Sequence, residues 1–168
     1  PNSLAVLAMA HRNHFLHAPD VYMEKIAVGG DLPDDVISLD ASPKANLTAL
    51  AQAKKCEIAD LLVVILERPR HAELIAKTRE AGARILLIPD GDVAAVIATA
   101  LPETGISMVI GTGGAPEGVL AAAALRCTGG QMQGRLLFDN DLQLQRAGTM
   151  GITDPTKIYR EYDMARDI

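Results

Sequence analysis

Apolar residues fall along this chain in two patterns: short continuous runs, and longer stretches with helical spacing, separated by Gly or Pro at most changes. LLVVIL at 61–66 is apolar at every position and predicts a strand buried on both faces near the middle of a sheet. RILLI at 84–88 and the run at 106–110 predict two more strands, and 131–138 another. Between them, 72–81 predicts a helix closed by Gly82, 93–100 a helix stopped by Pro102, and 117–127 an Ala-rich helix. Residues 42–55 predict a further helix, with Ser42 as N-cap, Pro43 in its first position and Leu47, Leu50, Ala51 and Lys54 marking its period. From 61 onward the order is β-α-β-α-β-α-β, which predicts an α/β protein with a mainly parallel sheet and covering helices.

The flanks are less regular. LAVLAM at 4–9 predicts a short strand, 11–14 a turn, and 15–17 a second strand pairing back, broken at Pro19. VYMEKIAV at 21–28 fits a helix or a strand; Tyr22 and Lys25 share a side only in the helix. Residues 29–39 are irregular, with turn signals at Gly29, Gly30, Pro33 and Asp35. The stretch from Asp154 is polar and helix-like, with no strand after it to close the sheet. Both ends therefore read as cuts through a larger fold, and 1–168 as a single α/β domain. Open edges and apolar faces left by such cuts favour a homo-oligomer.

Each of the first three strands of the alternating region is followed by a polar cluster, and ligands of open α/β sheets sit beyond those strand ends. After the third comes GTGGAPEG at 111–118. Gly111, Gly113 and Gly114 predict a tight turn that lets the backbone approach a ligand, and Pro116 suits the first turn of the helix that follows. The free N–H groups of that helix start would form an anion cradle. Glu117 would repel a phosphate there unless a cation bridged the two, which points to a metal-dependent phosphate site. Acidic residues in a first helical turn also serve the helix dipole, with no ligand involved. A dinucleotide loop fits poorly, because Pro116 stands where G-x-G-x-x-G needs its last glycine. After the first strand, Arg68-Pro69-Arg70-His71 puts guanidiniums on alternate residues, which share a side in extended chain and match phosphate oxygens; the alternative is a solvated basic loop. After the second, Asp90-Gly91-Asp92 offers two carboxylates for sugar hydroxyls, a cation or water, or is an ordinary turn with Asp92 opening a helix.

Composition narrows the function. The 168 residues are 49% hydrophobic but only 3% aromatic, and net charge is −5 with no basic run, which argues against nucleic-acid binding. No apolar run approaches a membrane span and no signal peptide is visible, so neither a membrane nor a secretory route is expected. Cys56 and Cys127 fit a reducing, cytoplasmic compartment, packed as small apolar residues and without metal-ligand spacing. His11, His14 and His17 recur at i, i+3, i+6 in a turn-plus-strand region, which gives no convergent zinc site. No serine or cysteine has a nucleophile-elbow context. Gly129, Gly130 and Gly134 around GGQMQG suggest close packing or a bend, or are a plain loop-to-strand junction.

The segments YMEKIAVG, RPRH, IPDGDVA and GGAPEGVLAAAALRCTGGQMQGRL resemble the GlpX family, the class II fructose-1,6-bisphosphatases, over nearly the whole chain. The resemblance implies the metal-dependent sugar-phosphatase fold shared with inositol monophosphatases. It implies hydrolysis of the 1-phosphate of fructose 1,6-bisphosphate in gluconeogenesis, with sedoheptulose 1,7-bisphosphate as a further substrate in some members, and Mn²⁺ or Mg²⁺ as cofactor. It makes Glu117 a metal ligand. It places Gly114, Asp90, Gly91, Asp92 and Tyr22 on substrate, with Arg68, Pro69 and Arg70 lining the site and the arginines on a phosphate. Family members also carry an upstream acidic region with a DPIEGT-type motif and a downstream ATGVTDG-type segment, neither of which occurs here. Glu117 alone cannot hold the cations that phosphoryl transfer needs, so the isolated chain is expected to be inactive or nearly so. A non-catalytic sugar-phosphate-binding domain and a purely structural module are the competing readings.

Overall fold

The computed structural model describes residues 5–167. Six strands form one sheet: β1 (Tyr22–Val28), β2 (Leu62–Leu66), β3 (Arg84–Ile88), β4 (Met108–Gly114), β5 (Gln131–Leu137) and β6 (Ile158–Arg160), in the order β3-β2-β4-β1-β5-β6. β2 runs parallel to β3 and β4, as the alternating pattern predicts. The expectation of a mainly parallel sheet is corrected at its centre. β1 lies between β4 and β5 and is antiparallel to both, so the sheet is mixed. VYMEKIAV is thus a strand, buried at nearly every position from Met23 to Val28, which suits a strand flanked by neighbours on both edges.

Helices cover both faces. Helix α1 (Pro43–Lys54) and α2 (Ala72–Glu80) pack on one, where Leu47, Leu50 and Ala51 meet Ile26, Val28, Val63 and Ile65. Helix α3 (Asp92–Thr99), α4 (Ala115–Thr128), α5 (Asp141–Thr149) and the single turn α6 (Glu161–Met164) pack on the other, where Val96, Ala121, Ala122 and Leu125 meet Met23, Ala27, Val64 and Val109. Alternate residues of β1 serve the two cores, so Tyr22 and Lys25 point to opposite faces. The α1 cap is as predicted: Ser42 Oγ accepts the Ala45 N–H at 3.2 Å, and Pro43 opens the helix. Met23 is seated between Gly118 and Gly134, where an added Cβ would come within 2.5 and 2.6 Å of its Sδ. Gly134 thus serves close packing rather than a plain loop-to-strand junction.

Four expectations fail. Residue 4 of the predicted first strand lies outside the described residues, and 5–9 form no strand; Leu7 is 83% and Met9 82% exposed. Apolar sequence makes a strand only where a sheet edge accepts it, and this segment pairs with neither β3 nor β6. Residues 15–17 do not pair back upstream; Phe15 bridges to Ala165 near the other end of the chain, beside a Leu16 N–H to Met164 O bond of 2.9 Å. The stretch after Asp154 holds a strand, β6, which pairs with β5 before the short α6. Cys127 is exposed on α4 rather than packed, whereas Cys56 is half-buried against the α1–α2 core. No helix among the described residues is long and apolar enough to cross a membrane.

Replacing Ser42 with Ala should cost about 1 kcal/mol, the usual loss for an N-cap, read as a lower urea midpoint at unchanged slope. No change in midpoint would mean that the cap contributes nothing to α1.

Candidate functional site

β2, β3 and β4 end at the same end of the sheet, and β1 begins there. The three polar clusters accordingly meet at that end. The glycines do not form a turn. Gly111, Thr112, Gly113 and Gly114 stay in β4 and pair with Lys25, Glu24, Met23 and Tyr22. Their smallness serves close approach instead: a Cβ at Gly113 would lie 2.5 Å from Asp92 Oδ2 and 2.9 Å from Lys25 Nζ, and one at Gly114 would overlap the Glu117 carboxylate. The predicted cradle is leaner than the sequence implied. Ala115 N–H is spent on Val21 O at 2.9 Å and Pro116 has no N–H, so the donors of the α4 start begin at Glu117.

Lys25 organises this end. Its ammonium, on a residue only 5% exposed, donates to Asp92 Oδ2 at 2.6 Å and to Gly114 O at 3.1 Å. Asp92 Oδ1 accepts the Val93 N–H at 3.1 Å. One ammonium therefore ties β1 to the start of α3 and the end of β4. Asp92 is thereby occupied, while Asp90 and Glu117 are exposed and unbonded among the described residues. Asp90, Gly91, Asp92 and Glu117 line one cleft of about 800 Å³, whose remaining wall is largely apolar and includes Val64, Leu86 and Ile88.

The arginines lie at the same end but outside this cleft. Pro69–His71 forms a 3-10 turn, so Arg68 and Arg70 do not share a side as extended chain would require. Arg68 is extended, as the following proline dictates, and Nη1 donates to Glu67 O at 2.9 Å. Arg70 reaches over β4: Nε and Nη2 donate to Thr112 O at 3.3 and 2.8 Å, and its Cζ lies 4.9 Å from the centre of the Tyr22 ring. Arg70 and His71 line a second cavity, of about 310 Å³, with Glu24 and Thr112. The structure thus gathers Asp90, Asp92, Gly114 and Glu117 on one side of the β4 terminus and Tyr22 with Arg70 on the other. Arg68 and Pro69 line neither cavity.

His71 is buried at 3% exposure. Burial holds its imidazole pKa below the ordinary value, reinforced by Arg70 and Arg68, against a raising hydrogen bond to Leu66. Lys25 and His71 escaped sequence reasoning as site residues. The only signals were a charged residue inside a buried strand for Lys25 and its place directly after RPR for His71.

Among the described residues no group of three or more His, Cys, Asp or Glu side chains is arranged to hold a metal ion. With Asp92 committed to Lys25, Glu117 and Asp90 are the free carboxylates of the cleft. These residues do not amount to a complete divalent-cation site.

Two results follow. Lys25→Met should destabilise the chain by about 3 kcal/mol, because the Asp92 charge stays half-buried without its partner, and Lys25→Met with Asp92→Leu should cost less than the single change. Equal or greater loss in the pair would contradict a compensating ion pair. For His71, the depressed folded-state pKa means that the unfolded chain takes up the proton first. The neutral-ring stability is full above about pH 6.5 and falls as pH drops toward the folded-state pKa. Thermal unfolding at stepped pH should show that decline in the native chain and a smaller one in His71→Gln.

The family model described as bacterial fructose-1,6-bisphosphatase, glpX-encoded, matches residues 1–168. Curated relatives named D-fructose 1,6-bisphosphatase class 2/sedoheptulose 1,7-bisphosphatase are 42% identical over 177 aligned residues in Synechococcus sp. (strain JA-3-3Ab) and 39% identical over 175 in Trichodesmium erythraeum. Each alignment covers 97% of this chain and 50% of the relative, so the chain spans about half the length of these proteins. With the whole sequence matched by one family model, the chain belongs to the glpX-encoded bacterial fructose-1,6-bisphosphatase family.

Proposed function

We propose that this chain carries the sugar-phosphate-binding part of a metal-dependent phosphatase acting on fructose 1,6-bisphosphate and, as the relatives' names indicate, on sedoheptulose 1,7-bisphosphate. The carrying observation is the meeting of the DGD loop and Glu117 in one cleft, with Gly114 packed against the Glu117 carboxylate, in a chain matched throughout by a bisphosphatase family. The Arg70 guanidinium, already braced by Thr112 O and the Tyr22 ring, takes one phosphate in bidentate fashion with its remaining N–H donors. Asp90 accepts sugar hydroxyls, and Gly91 and Gly114 let the sugar lie close to the backbone. Asp92 acts with Lys25 as a fixed, charge-neutral wall. Pro69 sets the turn that aims Arg70, and Arg68 adds positive charge at the rim. Two cavities separated by the β4 terminus suit a ligand with a phosphate at each end.

The cofactor of this reading is Mg²⁺ or Mn²⁺, for which Glu117 is the donor this chain offers. Among the described residues no further donors are gathered around it, so no catalytic step is assigned to these side chains alone. Phosphate removal from fructose 1,6-bisphosphate places the parent reaction in gluconeogenesis, a cytoplasmic process.

Calorimetric titration with fructose 1,6-bisphosphate tests the reading. The 168-residue chain should bind, without releasing phosphate in the presence of Mn²⁺. Arg70→Ala should weaken binding about tenfold, a loss near 1.4 kcal/mol. Glu117→Ala should abolish any gain in affinity that Mn²⁺ confers. Undiminished affinity in Arg70→Ala, which is exposed and should fold normally, would refute the phosphate assignment.

A further inference from the structure

β2 accompanies β4 only through Val63 opposite Met108 and Val64 opposite Val109. Beyond that point β2 continues beside β3, as far as Leu66 opposite Ile88. The side of β4 that faced β2 is left without a strand from residue 110 onward, where unpaired backbone groups carry a cost. The turn Pro69–His71 folds back onto this open edge. His71 Nε2 accepts the Thr112 N–H at 2.8 Å, and Arg70 donates to Thr112 O through Nε and Nη2. Two consecutive side chains thus satisfy both backbone groups of one residue, as a neighbouring strand would. The other ring nitrogen, Nδ1, lies 2.8 Å from Leu66 O. A backbone N–H on one side and a carbonyl on the other allow only one state: neutral imidazole, protonated on Nδ1. Gly111 belongs to the same arrangement. Its φ of +149° is one that L side chains rarely adopt, and a Cβ there would lie 3.1 Å from His71 Cε1.

We propose that His71, as the Nδ1-protonated neutral ring, is a positioning residue for the anion site: it stands in for the missing strand at Thr112 and so fixes the carbonyl on which the Arg70 guanidinium is braced. His71 itself does not touch the ligand. The proposal rests on the reading of Arg70 as the phosphate-binding side chain. Protonation of Nε2 would turn a donor toward the Thr112 N–H and release the clamp. The charged groups around the ring do not offset this. Arg68 and Arg70 on its own turn are like-charged with the protonated ring. Glu24, on β1, is bonded by Arg135 at 2.9 Å, and Glu73, on α2, by Lys77 at 2.6 Å. Phosphate affinity should therefore fail in mild acid for a reason other than ligand titration.

The test uses the full chain with inorganic phosphate as probe, in the native sequence, His71→Gln, His71→Ala, Arg70→Ala and the His71→Ala/Arg70→Ala pair. Nitrogen NMR should find His71 protonated on Nδ1 at pH 7.5. His71→Ala should weaken phosphate about fivefold, and the double variant should bind no more weakly than Arg70→Ala alone, because both act through one guanidinium. Affinity should fall more steeply from pH 7.5 to 5.5 in the native chain than in His71→Gln; the probe's own titration cancels in that comparison. An Nε2-protonated ring, or a folded His71→Ala chain with unchanged affinity, would overturn the proposal. If the native chain binds no phosphate at all, the site reading fails separately. The Arg70 Nε–H resonance then decides the clamp: it should shift on acidification of the native chain and not of His71→Gln, and an unmoved signal would overturn it.

Discussion

The buried ammonium of Lys25 is the constraint on which this end of the molecule depends. A lysine at 5% exposure on a central strand is tolerated only if its charge is matched and its donors are used, because an uncompensated buried charge costs several kcal/mol. Asp92 supplies the charge and Gly114 O a second acceptor. Much of the local sequence follows. Position 113 must be glycine because the ion pair fills the space of a Cβ, and α3 begins at Asp92, after a short turn from β3. The antiparallel β1 must lie beside β4, since only there does Lys25 reach both partners.

The antiparallel insertion also divides the site. Had the sheet been parallel throughout, the clusters after β2, β3 and β4 would open on one crevice. With β1 entering from the same end, its alternating side chains serve both faces. Tyr22 meets Arg70 on one side, and Lys25 meets Asp92 on the other. Carboxylates collect in the larger cleft and the arginine with its buried histidine beside the smaller. Lys25 offsets the charge of Asp92 within the larger cleft.

Elements dictated by local chemistry were legible in the sequence. Ser42-Pro43 starts α1 where the cap rule puts it, LLVVIL and RILLI are strands, and Gly82 closes α2. Elements defined by a distant partner were not. LAVLAM is as apolar as RILLI, yet no edge receives it, and nothing within VYMEKIAV encodes the gap between β4 and β5 that makes it a strand. The glycines of GTGG predicted a turn because glycine permits one; they are needed because Lys25, Asp92 and His71, distant in sequence, occupy the space beside them. The site residues stood out by type, whereas their bonding did not. Asp92 and Asp90 look equivalent in DGD, and only the fold shows that one is consumed by an ion pair.

The most direct test of the central claim is a map of backbone amide shifts as fructose 1,6-bisphosphate is added to the isotopically labelled chain. The site built by Lys25 predicts changes concentrated at Asp90–Asp92, Thr112–Gly118 and Arg68–His71, with little at the opposite end of the sheet around Gly29, Gly105 and Gly130. Shifts centred on that opposite end, or none where ligand is in excess, would contradict a sugar-phosphate site at the strand ends.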